Sequence, residues 1–105
     1  MENVTPLELK AEMDAGRPLV FLDVREAHEL ENGVLPGIVH IRMAQVPLSL
    51  GQLDKEADLV VVCRTGNRSG KVTDFLSKQG FTRVRNLDGG MNAWARDVDP
   101  SVNEY

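Results

Sequence analysis

Apolar residues in this chain come in short dense blocks, and the stretches between them have helical composition. Pro18–Val24, PLVFLDV, is apolar until Asp23 and predicts a strand buried on both faces, as in a parallel sheet. Asp58–Cys63, DLVVVC, is the densest block and predicts the central strand. Two briefer strands are predicted at Ile38–Ile41 and Thr82–Leu87. Between them lie the helical signals. Thr5-Pro6-Leu7-Glu8 is a capping box with proline at the first helical position. Leu7, Leu9 and Met13 are read as that helix's apolar face, and Gly16 as its stop. Arg25–Gly33 is charged and helix-favouring, with Gly33 ending it. Ser69–Gly80 is amphipathic, with Val72, Phe75 and Leu76 inward. Asp88 is read as the cap of a last helix that packs through Ala93 and Trp94. Gly89 and Gly90 allow that segment a close approach to its neighbours. Met43, Val46, Leu48, Leu50 and Leu53 fit a short helix broken by Pro47 and Gly51, and residues 97–105 read as a polar tail.

Strands alternating with helices predict an α/β fold: a central parallel sheet with helices on both faces, forming one domain over residues 1–105. In such folds the sites form where strands end at their carboxyl side and loops lead into helices. Asp23 and Cys63 both stand at such ends.

Composition narrows the function. The chain has 105 residues, 42% of them hydrophobic and 27% charged, which suits a globular domain of one core. A net charge of -4 argues against nucleic acid as a partner. One cysteine excludes an internal disulfide, and no His, Asp or Cys cluster has metal-ligand spacing, so neither metal nor cofactor is expected. A free thiol suits a reducing compartment. The amino terminus lacks the pattern of a signal peptide, and the longest apolar run is far too short to cross a membrane. The expectation is a cytoplasmic protein.

The single thiol sits where chemistry is possible. Val61–Val72 reads VVCRTGNRSGKV: a strand end, a tight loop and a helix start. Gly66 and Asn67 are the residues best able to take positive φ and close the loop. A tight turn before a helix points several backbone N–H groups into one concavity, and such a nest holds an anion. Arg64, Arg68 and Lys71 add positive charge nearby. Cys63 at the centre would be held as the thiolate, the nucleophilic form, with no partner base required. His28 is read as a solvated side chain and His40 as a hydrogen-bonded surface or rim group.

Three blocks in order carry a family resemblance: FLDVREAHELENGVLPG, VVVCRTGNRSG and GFTRVRNLDGGMNAWAR. Across nearly its whole length the chain resembles the rhodanese family, in particular its single-domain sulfurtransferases. It departs at Val34, where the family usually has histidine, and at Ile38, where it usually has alanine; both lie away from the cysteine loop. The resemblance implies a cycle in which Cys63 takes sulfane sulfur from a small anionic donor such as thiosulfate and becomes a persulfide. A thiol or cyanide acceptor then removes the sulfur. It further implies that the Arg64, Thr65, Gly66, Asn67, Arg68 and Ser69 segment surrounds the persulfide and binds the donor. Arg64 and Arg68 would attract the sulfonate, Ser69 would give a hydrogen bond, and Asp23 and Arg25 would form a structural ion pair near the site. Phosphatases and arsenate reductases of this fold carry arginine six residues after the cysteine. Here Ser69 stands there, so the loop should close on one sulfur atom. Arg64-Thr65-Gly66 favours thiosulfate over mercaptopyruvate. A non-catalytic docking, sulfur-carrier or redox-sensing module is the alternative, and a sulfur-relay protein is the expected kind of partner.

Overall fold

β4 (Asp58–Val62) is the middle strand of a five-stranded sheet, and its position follows from its side chains. Leu59, Val60, Val61 and Val62 are all buried, which only a strand covered on both faces allows. In the computed structural model, which describes residues 1–105, the strand order is β1-β5-β4-β2-β3. The other strands are β1 (Glu2–Val4), β2 (Leu19–Asp23), β3 (Val39–His40) and β5 (Val84–Leu87), and every pairing is parallel. The three α-helices are α1 (Pro6–Asp14), α2 (Asn67–Lys78) and α3 (Gly90–Asp97). This is the expected α/β architecture, a parallel sheet between two helical layers.

Alternation along β4 divides the core. Val60 and Val62 pack with Leu9 of α1 and Trp94 of α3, while Leu59, Val61 and Cys63 pack with Val72 and Leu76 of α2. Each fully buried aliphatic side chain contributes roughly 1.5–3 kcal/mol of transfer free energy. The sheet is thereby clamped from both sides, and the loop after Val62 leaves a rigid strand.

Several local expectations change. β1 has no counterpart among the predicted strands. The capping box forms: Thr5 Oγ1 accepts from the Glu8 amide at 3.2 Å, and Glu8 Oε1 accepts from the Thr5 amide at 2.9 Å. The buried face of α1, however, runs through Pro6 and Leu9, spaced i, i+3, and Leu7 is 64% exposed. Residues Ala27–Asn32 form a 3₁₀ helix where an α-helix was expected. The guanidinium of Arg25 donates to the carbonyls of Glu29 and Gly33, at 3.3 and 2.8 Å. Glu29 O is thus engaged by Arg25 and by Asn32 Nδ2, and the Gly33 amide bonds back to Leu30 O in the tighter pattern. Met43–Leu48, with Pro47 inside, and Leu50–Gln52 are likewise 3₁₀, and Leu48 is exposed.

α3 starts one residue later than read. The Asp88 amide donates to Val4 O and belongs to the sheet, so Gly89 becomes the cap and the Asp88 side chain caps nothing. The tail is packed: Val102 is buried against Gly33, and the Asn103 amide donates to Asn32 O at 2.8 Å. No helix is long and apolar enough to cross a membrane.

Candidate active site

Cys63 follows the last residue of β4, and its side chain falls on the face covered by α2. The chain then has three residues, Arg64, Thr65 and Gly66, in which to reach α2 at Asn67. Gly66 makes the turn at φ +93°, where L side chains are rare, and a Cβ there would lie 3.1 Å from the Gly89 amide nitrogen. Asn67 does not share the left-handed role expected of it; it is the first residue of α2, and no non-glycine residue has positive φ.

The turn aims donors at the sulfur. The Gly66 amide donates to Cys63 Sγ at 3.1 Å and the Ser69 amide at 3.4 Å. Ser69 Oγ lies 3.2 Å from Sγ and 2.5 Å from Asn86 Oδ1. Sγ is therefore buried, with Cys63 only 1% exposed, yet it faces amides and a hydroxyl as well as hydrocarbon. Hydrogen-bond donors held in place around a buried atom stabilise negative charge there.

α3 braces the loop from below. The Met91 and Asn92 amides, in its first turn, donate to the carbonyls of Cys63 and Arg64 at 2.8 and 3.0 Å. Gly90 makes this approach possible: a Cβ there would come within 2.5 Å of Cys63 O and Arg64 O. The glycine pair read as a close-packing device thus touches the cysteine loop itself.

The two loop arginines are placed differently. Arg68 is half-buried and grips Glu29 with both terminal nitrogens at 2.9 Å. The fork of Arg68 holds the Glu29 carboxyl below the usual carboxylate range, against the opposing pull of burial, and Tyr105 adds to the lowering. Arg64 is exposed and forms no salt bridge; its guanidinium lies over the Tyr105 ring, 4.9 Å from the centroid. Thr65 and Asn67 are exposed beside it. Lys71 is exposed one turn along α2.

Asp23 and Arg25 form the ion pair that the resemblance implies, and both are fully buried, joined at 2.7 Å. Burial pulls the Arg25 guanidinium down, but Asp23 and Tyr105 outweigh it and keep it charged above the ordinary arginine range. Tyr105 joins this cluster with no local signal to mark it beforehand. Its hydroxyl donates to Glu29 Oε2 at 2.8 Å and accepts from Arg25 at 3.1 Å. Burial and the Glu29 carboxylate push this phenol above its usual range. His40 donates from Nε2 to the Arg25 carbonyl at 2.7 Å, since a carbonyl only accepts, and His28 is exposed.

No group of three His, Cys, Asp or Glu side chains converges on one point. The larger surface hollows, about 290 and 430 Å³, lie around Arg17, Asp58 and Arg83 at the opposite end of the sheet. Size is a poor guide here, because Cys63 lines none of the surface hollows and its cup is marked by its donors instead.

Known proteins share this chain's sequence pattern and fold. YtwF of Bacillus subtilis (strain 168) is 39% identical over 100 residues, covering 95% of this chain and 96% of that one. A sulfurtransferase of Allochromatium vinosum is 36% identical over 84 residues, covering 80% and 78%. The crystal structure of a rhodanese-like domain protein from Staphylococcus aureus superposes with a TM-score of 0.83 at 34% identity, over 90% of this chain and 91% of that one. Residues 5–97 match the sequence profile of the Rhodanese-like domain, and with most of the chain so matched it belongs to the rhodanese-like family.

Proposed function

We propose that the chain is a sulfurtransferase that moves sulfane sulfur through a persulfide on Cys63. The observation that carries this reading is the pair of loop amides, Gly66 and Ser69, aimed at Sγ at the mouth of the central strand. The Allochromatium vinosum relative is named a sulfurtransferase, which supports the same chemistry.

In the first step the Cys63 thiolate attacks the outer sulfur of thiosulfate. A new S–S bond forms at Cys63, the sulfur–sulfur bond of the donor breaks, and sulfite leaves with that electron pair. The terminal persulfide sulfur then sits under the loop amides, which stabilise its charge. In the second step a thiol or cyanide attacks that sulfur, and Cys63 leaves as thiolate. The cycle is ping-pong and needs no cofactor. Arg64 is the loop cation free to meet the anionic donor; Arg68 instead fixes Glu29 and the flank of the loop. Thr65 and Asn67 line the exposed approach. Residues 1–105 then act as one unit, a cytoplasmic enzyme passing sulfur to a small thiol or a sulfur-relay protein.

One observation favours a second reading as a carrier: Cys63 is 1% exposed, which suits a sulfur handed over only within a docked complex. Thiocyanate formation from thiosulfate and cyanide separates the two. Steady turnover is the expected result, and Cys63→Ser should abolish it. Thiosulfate alone should add one sulfur by mass spectrometry. Turnover that survives Cys63→Ser would falsify the persulfide route, and sulfur loading without turnover would favour the carrier.

A further inference from the structure

Behind the cup runs a buried polar chain that the sulfur chemistry above does not employ. Asn86, on β5, is 4% exposed. Its Nδ2 lies 3.2 Å from the Gly66 carbonyl and 3.1 Å from Asn3 Oδ1 on β1. A backbone carbonyl can only accept, so the amino group of Asn86 faces Gly66 and its oxygen faces Ser69. That oxygen is 2.5 Å from Ser69 Oγ, and two acceptors so close repel unless a proton lies between them. Ser69 has one hydroxyl proton, and this contact holds it. Toward Cys63, 3.2 Å away on the other side, Ser69 Oγ then presents a lone pair.

This arrangement suits a thiol, whose S–H can donate to Ser69 Oγ. It opposes a sulfur anion, which wants a donor at the same point. The Gly66 and Ser69 amides serve both states; the hydroxyl serves one at a time.

We infer that Asn86 is a positioning residue that sets the charge state of the Cys63 sulfur by competing with it for the Ser69 hydroxyl proton. In the resting thiol the proton points to Asn86. When the thiol ionises, its own proton leaves to solvent and the Ser69 hydroxyl turns about its C–O bond toward the sulfur. The purpose of this device rests on the sulfur-transfer reading, but its test does not.

The test is the rate at which iodoacetamide alkylates Cys63 at one fixed pH near neutrality, since only the thiolate reacts and the chain has no other cysteine. Asn86→Leu releases the hydroxyl to the sulfur and should speed alkylation about tenfold, the scale of one hydrogen bond to a charged group. Ser69→Ala should remove that gain, and so should slow the Asn86→Leu protein by a larger factor than any by which it changes wild type. Asn86→Asp keeps an acceptor beside Ser69, strengthens it with charge, and should react more slowly than wild type. An Asn86→Leu protein with native circular dichroism that alkylates no faster than wild type overturns the inference. So does a Ser69→Ala effect equal in both backgrounds. Should Asn86→Leu not fold, Asn86→Asp decides alone, with a rate equal to or above wild type counting against the idea. Thiocyanate without Ser69–Asn86 coupling sinks this inference only; coupling without thiocyanate sinks the sulfur-transfer reading only.

Discussion

Both ends of the sheet carry an ion network, and the two are built differently. At the amino ends, Arg17 and Arg85 share Glu12 and Asp58, with contacts from 2.5 to 3.4 Å. These groups keep contact with water; the Arg17 side chain is 49% exposed. At the carboxyl ends, Asp23 and Arg25 are sealed completely, and the chain continues through Tyr105 to Glu29 and Arg68. Solvent screens the first network, so its geometry can relax. The second must be complete, because a lone buried charge is very costly. The difference places the rigid scaffold beside Cys63 and leaves the opposite end with arginines whose charge is already matched.

The strongest break of this comparison is Arg25→Ala against Arg17→Ala. Leaving Asp23 buried without a partner should destabilise the fold by about 3–5 kcal/mol. Losing Arg17 should change it by less than about 1 kcal/mol. Urea unfolding of both variants measures the gap, and equal losses would refute the contrast.

Gly90→Ala should come next. Its φ of +61° and the 2.5 Å contact with Cys63 O mean that a methyl group both strains α3 and pushes on the loop. A stability loss of roughly 2–3 kcal/mol is expected from conformation and overpacking together. Thiocyanate formation should fall further than stability alone explains, measured well below the variant's midpoint temperature.

Arg64→Ala sharpens the contrast between a free and a matched cation. It should raise KM for thiosulfate about tenfold, near 1.4 kcal/mol, with little change in kcat. A persulfide donor lacking the sulfonate should lose less. Equal losses with both donors would remove Arg64 from anion capture.

The smallest effect is acid sensitivity. Glu29 is held low by Arg68, and Glu12 by Arg85, one at each end of the sheet. A lowered folded value means each contribution is fully present above the unfolded carboxylate value of about 4.3 and is lost as pH falls through the folded one. Stability should therefore decline below that value, and Glu29→Gln should flatten the decline. An unchanged acid limb in denaturant midpoints against pH would contradict it.

The strand, the loop and α2 were legible because their signals are local. Five apolar residues, Leu59–Cys63, then a glycine turn and an amphipathic segment are read within some twenty positions. The capping box at Thr5 is equally local. β1 was not legible, since three residues with only Val4 buried show no period, and β1 exists only by pairing with β5 more than eighty positions away. Tyr105 was missed for the same reason: its partners Arg25 and Glu29 meet it through the tertiary fold. The charged run after Arg25 has helical composition, but carbonyl capture by its own first residue tightens it to 3₁₀. For β1 and Tyr105 a long-range contact decided the structure, and for the 3₁₀ turn a side chain of the same run outweighed the helical preference.

Two helix starts meet at the cysteine loop and are spent on different atoms. The amides opening α2 reach the sulfur, while those of α3 hold the carbonyls of Cys63 and Arg64. The backbone there is fixed by bonds that do not involve the cargo. Loading and unloading should therefore leave amide hydrogen–deuterium exchange in residues 63–69 nearly constant, and the cup works as a preformed socket. Selection among acceptors then falls to the exposed surface around that socket, whose residues can vary without disturbing the chemistry inside.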